Sequence, residues 1–351
     1  MAEGLAKIGY TGRAYFIADI AANHDGDLNR ALKLIELAKE AGADAAKFQN
    51  FTAEHIVSRR GFDTMPKAAH QAAWKQSVYE VYQGASISRD WTPLLKQKCD
   101  EVGIAYMTSP YDPASVDAVD PYLDAYKIGS GDITWPFILE YIAKKGKPVL
   151  LATGASDIAD VVRAYGILRP LVKELCILQC NTNYTASEDN FRYINLNVLN
   201  TYKVMFPDCV LGLSDHTHGH ATVLGALALG AKIFEKHFTD DNARTGPDHR
   251  FAMNPVTWKE MVTAARQLEQ AMGDGVKRIE GNETDSAVVQ RRALYLTRGM
   301  RAGEAVRAED LKAVRPIREG GIPPYLENEV VGKTLMHDVQ ADSSLRLEDL
   351  Q

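Results

Sequence analysis

Two histidines, His216 in LGLSDHT and His237 in AKIFEKHF, each follow a short apolar run, and so do two lysines, Lys47 in AAKFQ and Lys127 in AYKIGSG. A hydrophobic strand needs a polar residue only where it leaves the core. Imidazoles and ammonium groups at several such ends therefore ask for a chemical reason. Two imidazoles brought together can share one divalent ion with substrate oxygens and water, a set that suits Mn²⁺, Fe²⁺, Co²⁺ or Zn²⁺. The competing reading is a pair of hydrogen-bonded structural histidines. Lysine in an apolar setting either grips phosphate or carboxylate or forms a Schiff base, and residue type leaves both open. Ser130, in the turn Gly129-Ser130-Gly131, offers a hydroxyl and accessible backbone N–H groups, the makings of a phosphate cradle. Asp19 and Asp248 are candidates to grip sugar hydroxyls or shuttle protons, with a capping or surface role as the alternative. Arg315, in AVRPIREGG, is a candidate to reach a ligand from the C-terminal part of the chain, against the default of a solvated arginine.

The elements that must position these groups are short apolar runs alternating with amphipathic stretches. The runs Ala14–Ile20, Ala45–Phe48, Ala105–Thr108, Ala125–Ile128, Val149–Ala152, Leu175–Gln179, Val210–Leu213 and Lys232–Glu235 read as eight strands. Helical patterns fall between them at Leu28–Ala41, Pro136–Lys145, Ser156–Leu168 and His220–Leu229. In the first, near-3.6 spacing places Ala31, Leu32, Ile35, Leu37 and Ala38 on one side. Eight βα units in succession predict an α/β fold, a (β/α)8 TIM barrel closed by right-handed crossovers. A doubly wound sheet is the rival, but no G-x-G-x-x-G follows the first strand. A barrel carries its site at the C-terminal ends of its strands. Those ends read Asp19, Asn23 and His24; Lys47 and Gln49; Ser109; Lys127 and Ser130; Thr153; Asn181, Thr182 and Tyr184; Asp215 and His216; Glu235 and His237. His216 and His237 follow strands seven and eight, which are neighbours in a closed barrel.

Two stretches break the rhythm. The connection Asn50–Asp90 is too long for a simple loop, carries Arg59, Arg60 and a helical segment around Trp74–Tyr82, and reads as a lid or interface element. Gly273–Ser286 is Gly-rich and charged and reads as a linker. The expected division is a catalytic barrel over residues 1–280 and a small module over 288–351. At about 60 residues the module's own core is marginal, so it is expected to dock on something.

The 351 residues carry a formal net charge of −6, which argues against nucleic acid or an anionic membrane as the main partner. The N-terminus lacks the pattern of a secretory leader. No run approaches the ~18 apolar residues of a membrane span. The four cysteines have no zinc-site spacing and suit a reducing compartment, so a cytoplasmic location is expected.

Taken in order, the segments IADIAANHDGDLNRAL, GADAAKFQ, AYKIGSGD, LGLSDHT and ALGAKIFEKHFTDD, followed by GPDH and MNP, resemble the bacterial sialic acid synthase family, which makes N-acetylneuraminate and related nonulosonates. GMRAGEAVRAEDLKAVRP and VVGKTL resemble the antifreeze-like (SAF) domain that ends this family's chains. The resemblance implies condensation of phosphoenolpyruvate with N-acetylmannosamine or a related amino-sugar aldehyde, with release of phosphate. It implies a divalent metal, Mn²⁺ with Mg²⁺ or Co²⁺ as alternatives, on His216 and His237. It implies phosphoenolpyruvate on Lys47, Ser109, Lys127 and Ser130, helped by Ser214, with Gln49, Tyr184 and Asp248 facing the sugar. It further implies a domain-swapped homodimer in which Arg315 reaches the N-acyl group from the other subunit. Asp19 and Asp132 stand where the family usually has glutamate, each shortening a carboxylate by one methylene. Thr182 stands where Asn or Ser is common, so the departures touch the sugar side most. Two other functions compete: a metal-independent Schiff-base aldolase with Lys127 as nucleophile, and a non-catalytic ice- or carbohydrate-binding protein suggested by the terminal module alone.

Overall fold

The computed structural model describes residues 3–68, 71, 72 and 74–351. Eight parallel strands form one sheet: β1 (Tyr15–Asp19), β2 (Ala45–Asn50), β3 (Ala105–Pro110), β4 (Tyr126–Ile128), β5 (Val149–Ala152), β6 (Leu175–Cys180), β7 (Val210–Asp215) and β8 (Ile233–His237). Their order is β3-β2-β1-β8-β7-β6-β5-β4. β1 and β8 pair side by side, with Asp19 opposite His237, while β3 and β4 adjoin across the remaining seam without a hydrogen-bonded ladder. The result is the expected α/β barrel, nearly closed.

Strand periodicity sorts the side chains into two layers. Tyr15, Ile17, Ala45, Met107, Leu150, Cys176, Leu178 and Ile233 fill the interior, and Leu5, Ile8 and Tyr10 close it from the N-terminal side. The alternate residues, among them Phe16, Phe48, Tyr126, Leu151, Ile177 and Phe234, pack outward against the helices. At Gly212 of β7 an added Cβ would lie 2.2 Å from Leu178 Cδ2 and 2.4 Å from the Ile233 carbonyl oxygen. The interior has no room for any side chain there.

Helices cover the outside. Leu28–Glu40 starts where the Asp27 side chain accepts hydrogen bonds from the N–H groups of Asn29 and Arg30. It buries Ala31, Leu34, Ile35 and Ala38, whereas Leu32 and Leu37 are only partly buried. The apolar stripe is thus centred on Leu34, which the sequence reading left out. Several strands run past their expected ends: β7 reaches Asp215 and β8 reaches His237. In the long connection after β2 the helix begins at Val78, later than expected, because Ser77 and Glu80 form a reciprocal capping box there. Residues 69, 70 and 73 of this connection lie outside the described residues.

The chain divides into two compact units, one ending at Gly273 and one starting at Asp274. In the second unit β9 (Ala293–Leu296) and β10 (Leu311–Val314) pair antiparallel over a core of Leu294, Leu296, Met300, Val306, Ile322, Val330, Leu335 and Leu345. The helix Thr284–Val289 is tied to this unit by a hydrogen bond from Ile317 N–H to the Val288 carbonyl, 3.0 Å. Among the described residues no helix is long and apolar enough to cross a membrane.

Candidate active site

A cavity of about 450 Å³ lies at the C-terminal ends of the strands. It exists because the inward period-two series becomes polar at its last positions. Ile17 is followed by Asp19, Ala45 by Lys47 and Gln49, Gly212 by Ser214, and Ile233 by Glu235 and His237. Lys127 enters from the three-residue strand β4, and the turns beyond the strands add Ser130, Asp132, Thr182, Tyr184, His216 and Asp248. Of the residues singled out in the sequence, thirteen line this one cavity.

Ser109 shares the layer, opposite Gln49 in the β2–β3 pairing, but does not line the cavity; its hydroxyl is buried and makes no hydrogen bond. Arg315 belongs to the second unit, exposed just after β10, and its peptide bond to Pro316 is cis.

Ion pairs organise the floor. Lys47 Nζ sits 2.5 Å from Asp19 Oδ2 and 3.9 Å from Glu235 Oε2, and Lys127 Nζ lies 3.3 Å from Glu235 Oε1. Ser214 Oγ donates to Glu235 Oε1 at 3.2 Å, while Glu235 Oε2 has no hydrogen-bond partner. Burial disfavours the charged form of Lys47, but Asp19 and Glu235 outweigh it and raise its pKa. Both lysines enter a field of carboxylates that an incoming anion must share or displace. Sequence reasoning placed Glu235 at a strand end and gave it no role, although it stands two residues before His237 on the same inward face.

Asp132, above Lys127 in the turn after β4, has its pKa raised to about 6 by burial, with Lys127 pulling the other way. Beside it the Gly154 N–H donates to Ser130 Oγ at 2.9 Å, and a Cβ on Gly154 would fall 2.0 Å from Thr182 Oγ1. This close approach leaves no room for a side chain at Gly154.

The His216 and His237 rings are 5.3 Å apart. His216 Nδ1 lies 2.9 Å from the Asn181 carbonyl oxygen, so this nitrogen carries the proton and Nε2 keeps its lone pair. His237 Nδ1 is buried without a hydrogen-bond partner, and its Nε2 is 3.8 Å from Asp19 Oδ2. Burial drives the His237 pKa down to about 3, with His216 and Lys47 adding to it against Asp248 and Glu235, so the ring is a neutral donor. At His216 burial also opposes charge, but the Cys180 contact outweighs it and the pKa is raised. These groups fit a divalent ion that takes two imidazoles and leaves its other positions to substrate oxygens and water. Among the described residues no cluster of three or more His, Cys, Asp or Glu forms a complete protein ligand set.

Asp248 is held in place by its loop. Its Oδ2 accepts from Ala22 N–H at 3.1 Å, and the next residue, His249, is fully buried between Thr239 Oγ1 at 2.7 Å and Asp25 Oδ1 at 2.9 Å. The sequence reading gave His249 no part, since GPDH alone shows neither partner. Tyr82 and Tyr111 also line the cavity and were given no role, because neither stands at a strand end that the sequence marks.

Strand order and mouth define an α/β barrel of the kind whose strand ends carry a reactive site. The chain belongs to the NeuB family, whose model matches residues 34–277, and residues 291–351 match the SAF domain model. It is 33% identical over 358 residues to the N,N'-diacetyllegionaminic acid synthase of Legionella pneumophila, covering 99% of this chain and 98% of that one. It is 32% identical over 345 residues to a pseudaminic acid synthase of Campylobacter jejuni, covering 97% of each. Among solved structures, the N-acetylneuraminic acid (sialic acid) synthetase of Leptospira borgpetersenii aligns with TM-score 0.67 and 26% identity, over 78% of this chain and 90% of that one.

Proposed function

We propose that the protein condenses phosphoenolpyruvate with an open-chain amino-sugar aldehyde to give a nonulosonic acid and phosphate. The observation that carries this reading is the convergence of Lys47, Lys127, Glu235, His216 and His237 on one cavity. Relatives named for legionaminic, pseudaminic and sialic acid synthesis support it.

A divalent ion bound by His216 and His237, Mn²⁺ in this reading, supplies Lewis acidity toward an aldehyde oxygen. Lys47, Lys127, Ser130 and Ser214 hold the anion, with Ser109 buried behind the cavity wall, so that C3 of phosphoenolpyruvate faces the aldehyde carbon. Attack by C3 forms the C–C bond as the aldehyde C=O π bond breaks and its oxygen takes up a proton, and it leaves cationic character at C2. Water adds there and gives up its proton to a mouth carboxylate, Asp19 or Glu235. The tetrahedral species then releases phosphate by C–O cleavage, leaving the 2-keto acid.

Gln49, Asp132, Thr182, Tyr184 and Asp248 face the acceptor, whose identity lies among N-acetylmannosamine and the 2,4-diacetamido-dideoxyhexoses. Arg315 from a second copy reaches the N-acyl group in a domain-swapped homodimer. A cytoplasmic location belongs to this reading, and the free cysteines are in keeping with it. The raised pKa of Lys47 is the opposite of what an amine nucleophile needs, which disfavours it as a Schiff-base lysine. The test is mass spectrometry of the product. The reading requires an acid three carbons longer than the aldose, and recovery of unchanged aldose with each acceptor overturns it.

A further inference from the structure

Immediately behind the two imidazoles, on the outward side of the barrel wall, lies a second ion pair that the reaction does not touch. Asp215 and Lys236 are cross-strand partners on β7 and β8, and each directly precedes one of the histidines. Lys236 Nζ binds Asp215 Oδ2, and both side chains are only 1% exposed. Lys236 Nζ also donates to the Thr217 carbonyl at 2.6 Å. Asp215 accepts from Thr217 N–H at 3.2 Å, from Thr217 Oγ1 at 2.9 Å and from Thr222 Oγ1 at 2.7 Å. The three-residue arch Asp215-His216-Thr217 is thereby hooked at both ends to the residue that precedes His237.

A buried ion pair is a poor source of stability, because apolar residues of similar volume often serve as well or better. What it does supply is geometry: both carboxylate oxygens and the ammonium are engaged by named partners on the arch and the neighbouring strand. We propose that the Asp215–Lys236 pair is a positioning device that fixes the separation of His216 and His237 from outside the cavity and so sets the affinity for the divalent ion. The inference rests on the metal reading given above. Groups that hold a metal's ligands in place without touching the ion act in this way, typically changing affinity by about 10–100-fold. Here the device reaches the imidazoles through the backbone and not through their ring nitrogens.

The test replaces the pair by apolar residues, Asp215→Leu with Lys236→Met, and measures Mn²⁺ binding by the electron paramagnetic resonance signal of free Mn²⁺. The expected result is a folded protein with a melting temperature at or above that of the parent and an unchanged KM for phosphoenolpyruvate. Its Mn²⁺ dissociation constant rises tenfold or more, and kcat falls at fixed Mn²⁺. Should the double variant not fold, Asp215→Asn, which keeps the shape and removes the charge, reads the same shift. A folded variant with parental Mn²⁺ affinity, while His216→Ala loses it, overturns the positioning role and leaves the metal reading standing. Absence of Mn²⁺ binding in the parent protein overturns both.

Discussion

Lys127 reaches Glu235 across the barrel interior, with 3.3 Å between Nζ and Oε1. The pair links β4 to β8, and Glu235 also lies 3.9 Å from Lys47, so one carboxylate faces the two cations assigned to the anionic substrate. Replacing Glu235 by Gln removes an anion from beside both lysines without changing shape. The expected outcome is a KM for phosphoenolpyruvate that stays level or falls, with kcat reduced by about 100-fold or more for loss of a proton acceptor. Steady-state kinetics of the variant check it, and an unchanged kcat removes Glu235 from the chemistry.

Asp132 gives a pH signature. Burial raises its pKa to about 6, so the folded state prefers the protonated carboxyl. The stability contributed by the neutral form is full below the unfolded value near 3.8 and is lost as pH rises through about 6. Asp132→Asn should therefore gain stability relative to the parent as pH rises from 5 to 8. Solvent screening at this half-buried position holds the gain to on the order of 1 kcal/mol. Melting curves of both proteins across that range decide it, and a constant difference refutes the burial argument.

Gly212 and Gly154 separate packing from binding. A methyl group on Gly212 collides with Leu178 and the Ile233 backbone in the barrel interior, and Gly212→Ala should cost about 1–3 kcal/mol by denaturant unfolding. A methyl group on Gly154 collides with Thr182 Oγ1 and crowds Cys180 and Ser130 at the cavity wall. Gly154→Ala should show mainly as a raised KM for phosphoenolpyruvate. Equal stability losses in the two variants, with KM unmoved, would place Gly154 among the packing residues.

Lysine chemistry can be excluded directly. With the Lys47 pKa raised and Lys127 paired to Glu235, neither amine is set up as a nucleophile. Borohydride with pyruvate should leave activity intact and add no mass to the chain. Irreversible inactivation with a reduced adduct on Lys127 would establish the aldolase mechanism instead.

The barrel was legible because each strand opens on apolar residues, and Val149–Ala152 even has the expected bounds. The strand ends were read short because Gln49, Asp215 and His237 look like loop residues in sequence. In the barrel they continue the ladder, with side chains facing either the cavity or the helix layer. The same polarity made the mouth visible as candidate chemistry before any geometry. Glu235 became a counter-ion only when β4 and β8 faced each other, a relation between residues 108 positions apart. His249 depended in the same way on Asp25, from the loop after β1, besides Thr239 in its own loop. Leu34 was missed on a helix whose apolar stripe is wider than the side it buries most deeply.

Phosphate release from phosphoenolpyruvate, with added Mn²⁺ or with EDTA, across a panel of 2-acetamido and 2,4-diacetamido aldoses, tests the central claim most directly. The account predicts release that requires both an acceptor and the metal and that disappears in His216→Ala and His237→Ala while both variants stay folded. Release undiminished by EDTA in metal-stripped protein, or by loss of both histidines, would contradict it.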